Sequence, residues 1–175
     1  MQQIILAGFG GQGILSMGKF IAHAGLEEGK NVSWLPSYGP EMRGGTANCN
    51  VIVAEEEVGS PIISKATALV VMNQPSLEKF EDYVEEGGVI ILDESLVPVR
   101  PKRTDVKVFA IPATTKAYEF GNATFAGIIL LGKLIAETKV VTPENFEKAL
   151  YKALPPKRHG MIPEEMKALA FGAQY

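Results

Sequence analysis

The sequence predicts an α/β fold: a three-layer α/β/α, Rossmann-like single domain built on a mostly parallel sheet. Three observations predict it. Apolar runs of strand length alternate with amphipathic runs of helix length along the chain. The first strand passes into its helix through "AGFGGQGIL", where Gly8, Gly10 and Gly13 keep the spacing G-x-G-x-x-G. A hydrophobic content of 46% over 175 residues supplies one core, so residues 1–175 read as one domain.

The elements follow in order. "QQIIL" opens a strand over 2–7, and the glycine turn leads into a helix over 12–28. "NVSWL" is the second strand, and "TANCNVIVA" a third that alternates Ala47, Cys49, Val51 and Val53 on one face. "ALVVM" at 68–72 reads as a buried strand, followed by "PSLEKFEDYVEEGG", a helix stopped by Gly87 and Gly88. "VIILD" at 89–93 and "VKVFAIP" at 106–112 are further strands. Asn122 to Thr138 is apolar on most faces and predicts a buried helix. Its Phe125, Ile128, Ile129, Leu131, Leu134 and Ile135 cover more circumference than one sheet-facing stripe needs. One face is therefore expected on the sheet and part of another on a partner subunit. Thr142-Pro143-Glu144 starts the next helix, with Thr as cap, Pro in the first turn and an acid near the dipole. The last stretch, "GMIPEEMKALAFGAQY", is a short helix plus tail, and 155–175 is a candidate docking segment. There is no internal repeat or low-complexity segment.

Composition excludes several function classes. A formal net charge of −3 is not that of a general nucleic-acid surface, and the short basic "PPKRH" from Pro155 reads as a solvated link. The longest apolar run, Ala123 to Gly132, is too short to span a bilayer and is followed by Lys133. With a strand at its start rather than a signal peptide, the chain is expected to be cytoplasmic, with no membrane partner. Its one cysteine, Cys49, and two distant histidines, His23 and His159, provide neither the four thiolates of an iron–sulfur cluster nor a structural zinc site. A redox cofactor of that kind belongs on a partner, and the chain alone is expected to carry no iron.

The glycine turn is the first candidate site. Glycines permit positive φ and close backbone approach, and the helix start offers unpaired N–H groups to a phosphate. A dinucleotide fold also places an acid at the end of its second strand, to grip ribose hydroxyls. "NVSWL" instead runs into "PSYGPEMRGG", with Glu41 several residues into the loop, which argues against NAD. The two glycine-rich loops, 8–13 and 36–45, are expected to gather at the carboxyl ends of their strands. In the second, Arg43 beside Gly44 and Gly45 is a planar cationic fork next to exposed backbone, suited to an anion.

Blander readings stand beside these. Gly8, Gly10 and Gly13 make a tight turn with no ligand, and Arg43 pairs with Glu41 or another surface acid for about 0–1 kcal/mol. Gln12, at a helix start, faces the ligand side. Cys49 is a small buried apolar residue rather than a nucleophile. Asn122 caps its helix, Tyr118 and Phe120 pack, and His23 and His159 take no role. Asp93 and Glu94 belong to a loop cap at Ser95 or a solvated turn rather than to a metal.

Taken together, "GFGGQGI", "SYGPEMRGG", "SPII" at 60–63 and "GNATFAGIILLG" resemble the gamma subunit of 2-oxoacid:ferredoxin oxidoreductases, from Ile4 to about Leu154. The pair GxGGQG and SYGxExRGG is far more specific than the glycine turn alone. The resemblance implies a complex that oxidatively decarboxylates a 2-oxoacid (pyruvate, 2-oxoglutarate or 2-ketoisovalerate) to an acyl-CoA and reduces ferredoxin. It places thiamine diphosphate on alpha and beta subunits and iron–sulfur clusters on others, including a ferredoxin-like delta subunit. This chain would be non-catalytic alone and bind no cofactor by itself. It would pack beside the thiamine-binding subunits, where coenzyme A enters. Gly8, Gly10, Gly11, Gln12, Gly13, Ser37, Tyr38, Arg43, Gly44 and Gly45 would then contact coenzyme A phosphates or the catalytic subunits, with both roles open. The alternatives are the corresponding subunit of an indolepyruvate ferredoxin oxidoreductase, a free-standing Rossmann-like nucleotide-binding dehydrogenase, and a flavodoxin-like regulatory module.

Overall fold

An uninterrupted apolar run is what a strand covered on both faces requires, and Ile4-Ile5-Leu6-Ala7 is one. In the computed structural model, which describes residues 1–37 and 46–175, none of these four is more than 1% exposed. They form the middle of β1 (Gln2–Phe9), a central strand of a six-stranded sheet ordered β2-β3-β1-β4-β5-β6. The others are β2 (Asn31–Ser37), β3 (Thr46–Ala54), β4 (Ala66–Val71), β5 (Val84–Asp93) and β6 (Lys107–Ile111).

β1, β4, β5 and β6 pair in parallel, whereas β3 runs antiparallel to both β1 and β2. The sheet is thus mixed, with three parallel pairings and two antiparallel ones. The cause is connection length. Residues 38–45 alone separate β2 from β3, and a parallel crossover needs a dozen residues or more. As β3 reverses direction twice over, β2 runs the same way as β1. Ser37 and Thr46 therefore lie at the edge where β1 ends, with Thr46 opposite Phe9 and Ser37 opposite Asn48.

Helices cover the two faces unequally. Ile4, Leu6, Cys49, Val51 and Val53 meet α1 (Ile14–Glu27), α3 (Ala113–Glu119), α4 (Phe125–Thr138), α5 (Pro143–Ala153) and α6 (Ile162–Gln174). Ile5, Ala7, Ile52, Leu69 and Ile90 meet α2 (Gln74–Phe80) and apolar residues of loops such as Ile63 and Val97. The alternation read in β3 holds, and Cys49 is fully buried, its thiol donating to the Ile14 carbonyl at 3.6 Å.

Two expectations are corrected. The helix read up to Gly87 and Gly88 ends at Phe80, followed by a 3-10 turn at Glu81–Tyr83. Val84 already pairs with Ala66, and the register jumps so that Ala68 pairs with Val89. The two glycines belong to a bulge inside β5. Gly87 takes φ 79° there and donates its N–H to the Asp105 carbonyl at 2.8 Å.

The second correction concerns α4. Every residue from Phe125 to Ile135 is buried within the single chain, including all six apolar residues whose spread implied that part of one face lay on a partner. The covering element is α6. A Cβ on Gly132 would overlap the Leu169 carbonyl, and one on Gly172 the Ile129 carbonyl, so the two backbones nearly touch. Lys133, 8% exposed, lies over the Phe109 ring at 4.6 Å and reaches Glu137 at 3.6 Å.

Thr142 caps α5 as read, accepting from the Asn145 N–H at 3.2 Å. Burial raises the pKa of Glu28, but hydrogen bonds from the Thr142 N–H (2.5 Å), the Asn145 amide (3.1 Å) and Lys30 (3.1 Å) outweigh it and hold the carboxyl below the usual range. Asn122 is not the cap of α4. Its Oδ1 accepts from the Thr124 N–H at 3.0 Å and hydroxyl at 2.6 Å, an Asx-turn before the helix. Among the described residues, no helix is long and apolar enough to cross a membrane.

Candidate functional site

β1 leaves the sheet through the glycine turn for α1 on one face, and β4 leaves for α2 on the other. The point where neighbouring parallel strands part in opposite directions is a crevice, the usual ligand position in such sheets. Here it opens between the carboxyl ends of β1 and β4.

The glycine turn shapes one side of it. Gly11 and Gly13 have φ 91° and 79°, which side-chain-bearing residues rarely adopt. Gly13 caps α1 without any side-chain hydrogen bond, so among the described residues the first-turn N–H groups have no capping side chain. Gln12 has a role that the sequence did not disclose. Its Oε1 accepts from the Phe9 N–H at 2.6 Å and its Nε2 donates to the Met72 carbonyl at 3.1 Å. Since the Met72 N–H donates to the Ala7 carbonyl at 3.0 Å, the amide continues the β1–β4 ladder beyond the last backbone rung. Gly8 makes room for it: a Cβ there would stand 2.5 Å from Gln12 Oε1 and 2.9 Å from Ile14 Cδ1. Gln12 still borders the cleft, but its polar atoms serve the backbone.

The crevice widens into a cleft of about 570 Å³. Gly11, Gln12, Gly13 and the α1 residues Ser16 and Lys19 line one wall, and Thr124 and the start of α4 line another. Arg158, from the exposed basic segment, and Glu165, from the first turn of α6, complete it. Glu165 is 5% exposed, and its Oε2 has no hydrogen-bond partner among the described residues. Burial pushes this carboxyl upward, against a smaller opposing pull from Arg158. Sequence reasoning missed it, because an acid in a first helical turn reads as ordinary dipole pairing.

The remaining candidates fall as follows. Gly8, Gly10, Gly11, Gln12 and Gly13 share the β1 edge, and Ser37 ends β2 on the same side, exposed. Tyr38, Glu41, Arg43, Gly44 and Gly45 lie outside the described residues. Asp93 is fully buried and caps backbone, accepting from the Ser95 N–H at 3.0 Å, the Thr114 N–H at 3.3 Å and the Thr114 hydroxyl at 2.5 Å. Glu94 pairs with Arg100 at 2.8 Å. Phe120 packs on Phe125 and Phe171, whereas Tyr118 is 69% exposed rather than packed. His159 meets the Leu154 carbonyl at 2.8 Å and the Tyr151 ring edge-on, and His23 is half-buried in α1.

The ribose-acid test also moves to another strand. The parallel neighbour of β1 is β4, not β2, and β4 runs into Met72-Asn73, where Asn73 caps α2 by accepting from the Ser76 N–H at 2.8 Å. No acid stands there either. Among the described residues, no group of three or more His, Cys, Asp or Glu could hold a metal ion. Burial pushes the Cys49 thiol up to about 12, so this residue is no ready thiolate ligand.

Comparison with known proteins accords with this architecture. The family described as pyruvate ferredoxin/flavodoxin oxidoreductase matches residues 3–175. The 2-oxoglutarate synthase subunit KorC of Methanocaldococcus jannaschii is 36% identical over 177 residues, covering 99% of this chain and 92% of that one. The ketoisovalerate oxidoreductase subunit VorA of Methanothermobacter thermautotrophicus is 37% identical over 174 residues, 99% of this chain. The chain spans only 36% of the length of that relative. The crystal structure of the keto/oxoacid ferredoxin oxidoreductase gamma subunit from Geobacter sulfurreducens PCA superposes with a TM-score of 0.85 at 30% identity, covering 99% of this chain and 97% of that one. With a match that runs almost from end to end, the chain belongs to the pyruvate ferredoxin/flavodoxin oxidoreductase family.

Proposed function

We propose that the chain is the gamma subunit of a cytoplasmic 2-oxoacid:ferredoxin oxidoreductase, non-catalytic alone, and that its switch-point cleft receives the phosphate end of coenzyme A. The observation that carries the proposal is the cleft itself: about 570 Å³, opening at the start of α1, where Gly13 offers no side-chain cap, behind the Gly11–Gly13 turn. Helix N-termini favour phosphate through their free N–H groups and dipole. Lys19 and Arg158 add two cations to the walls. Ser37, Tyr38, Arg43, Gly44 and Gly45 are the further residues proposed for coenzyme A or for the catalytic subunits.

The other cofactors of the reaction belong on partners in this proposal. One buried thiol is no donor set for an iron–sulfur cluster, and the described residues gather no acidic ligands for the divalent cation of thiamine diphosphate. Alpha and beta subunits hold the thiamine and decarboxylate the 2-oxoacid. A ferredoxin-like delta subunit carries clusters and passes electrons to ferredoxin. This chain helps seat coenzyme A, which takes up the acyl group.

Native purification with identification of the co-eluting chains is the direct test. The expected result is a complex with thiamine-binding and ferredoxin-like chains that forms acyl-CoA from a 2-oxoacid. A chain that purifies alone under all conditions, and whose omission leaves acyl-CoA formation intact, would refute the proposal.

A further inference from the structure

We infer that Glu165 forms a hydrogen-bonding subsite in the cleft for the neutral, amide-bearing arm of the ligand whose phosphates lie at the glycine turn. This rests on the coenzyme A reading above and adds a residue and a ligand part to it.

Buried polar atoms in folded proteins are nearly always partnered. Glu165 breaks that rule at one oxygen, and the residue borders a cleft: it is 5% exposed, with Oε2 buried and unpartnered among the described residues. A role in stabilising the α6 dipole does not explain this, since it needs no burial. Glu164 is available for that role, exposed and paired with Lys167 at 2.9 Å. A group supplied by a ligand satisfies the orphan oxygen once the side chain turns toward the cleft that the residue borders.

Charge decides which part of the ligand it meets. Phosphate beside a buried carboxyl would be repelled if that carboxyl were ionised, whereas Lys19 stands on the glycine-turn wall; Arg158 is the cation that acts on Glu165 itself. Burial favours the protonated form of Glu165. Ionised or neutral, a carboxyl oxygen accepts an amide N–H, and a secondary amide offers one. The anionic end therefore belongs at the start of α1 and the amide arm at Glu165.

Calorimetric titration of the full chain with two probes tests this. Coenzyme A carries both ends, and adenosine 3′,5′-bisphosphate carries only the anionic one. Glu165→Met keeps length and removes hydrogen bonding. It should weaken coenzyme A at least tenfold, leave the bisphosphate within twofold, and leave or raise the melting temperature. Glu165→Gln should restore coenzyme A to within about threefold of wild type, because an amide oxygen also accepts. In the wild-type chain, the carboxyl carbon resonance of Glu165 should move with coenzyme A and stay in place with the bisphosphate, which reads the contact even if the Met variant does not fold. Equal weakening of both probes, an unchanged coenzyme A affinity in the Met variant, or a carboxyl resonance indifferent to coenzyme A each overturns the inference while the coenzyme A reading stands. If neither probe binds the wild-type chain, that reading fails and the subsite with it.

Discussion

Gly132 lies against Leu169 and Gly172 against Ile129 where α4 crosses α6, so closely that a Cβ on either glycine would overlap the backbone of the opposite helix. That approach lets one short helix seal an apolar helix that would otherwise keep a bare second face.

Gly172→Ala should therefore force the helices apart. Overpacking at a backbone contact of this kind costs roughly 2–3 kcal/mol, which lowers the melting temperature by about 5–10 °C at this size. Gly160 is the control: it is exposed, with nothing within 4 Å of an added Cβ, so Gly160→Ala should melt with the wild type. Equal melting of the two variants would mean that the helices yield without cost.

Gln12→Leu removes the rung that joins β1 to Met72. Phe9 is 40% exposed, so water can replace part of the lost bonding, and the stability cost should be about 1 kcal/mol. The clearer readout is hydrogen exchange at the Phe9 amide, which should accelerate, while the Ile5 and Leu6 amides keep their protection. An unchanged Phe9 rate would show that the side chain does not hold the turn.

Glu28 gives a pH dependence with a definite sign. Its folded-state pKa lies below the reference of 4.5, because the Thr142 N–H, Asn145 and Lys30 together overcome the burial that raises it. A lowered carboxyl pKa contributes stability above the unfolded value, and that contribution is lost as pH falls through the folded value. Glu28→Gln should thus be less stable than wild type by about 1–2 kcal/mol near pH 7, and the gap should narrow below pH 4.5. Denaturant titrations of both proteins at several pH values measure it. A gap independent of pH would remove the charge from the account.

Arg43 lies outside the described residues, and the expectation for it comes from sequence. Arg43→Ala should weaken apparent coenzyme A affinity, or loosen the assembled complex, by on the order of 1.5–3 kcal/mol, as for a charge-assisted hydrogen bond. Arg43→Lys should recover only part, since it keeps charge but not the planar fork. Acyl-CoA formation against coenzyme A concentration, with gel filtration alongside, would place Arg43 among ordinary surface charges if neither quantity moved.

Cys49 should be inert while the chain is folded. Burial pushes its thiol up to about 12, which at pH 8 leaves roughly one molecule in ten thousand as reactive thiolate. Iodoacetamide should label it only in denaturant, and mass spectrometry of the native protein should find it free.

The sequence disclosed what depends on neighbours along the chain. The runs of β1, β4 and α4, the Thr142 cap and the glycine turn each follow from local pattern, and all are present. It misled where tertiary pairing outweighs local preference. Val84-Glu85-Glu86 continues a plausible helix, but pairing of Val84 with Ala66 draws it into β5. The apolar circumference of α4 was visible, but not that a helix beginning 24 residues after its end would cover it. Gln12 and Glu165 could not be placed from sequence, because the settings of both depend on atoms far along the chain: the Met72 carbonyl for one, the burial beside the cleft for the other.

The covering of α4 by α6 also sets an order of events during synthesis. The helix leaves the ribosome before the element that seals it, and residues 139–174 still have to emerge. At about 5–20 residues per second that interval lasts roughly 2–7 s. For those seconds the most apolar segment of the chain has one face on a nascent sheet and the other in water. The nascent protein is most open to chaperone capture, or to sticking to its neighbours on the same message, in that window, and the arrival of Gly172 against Ile129 closes it.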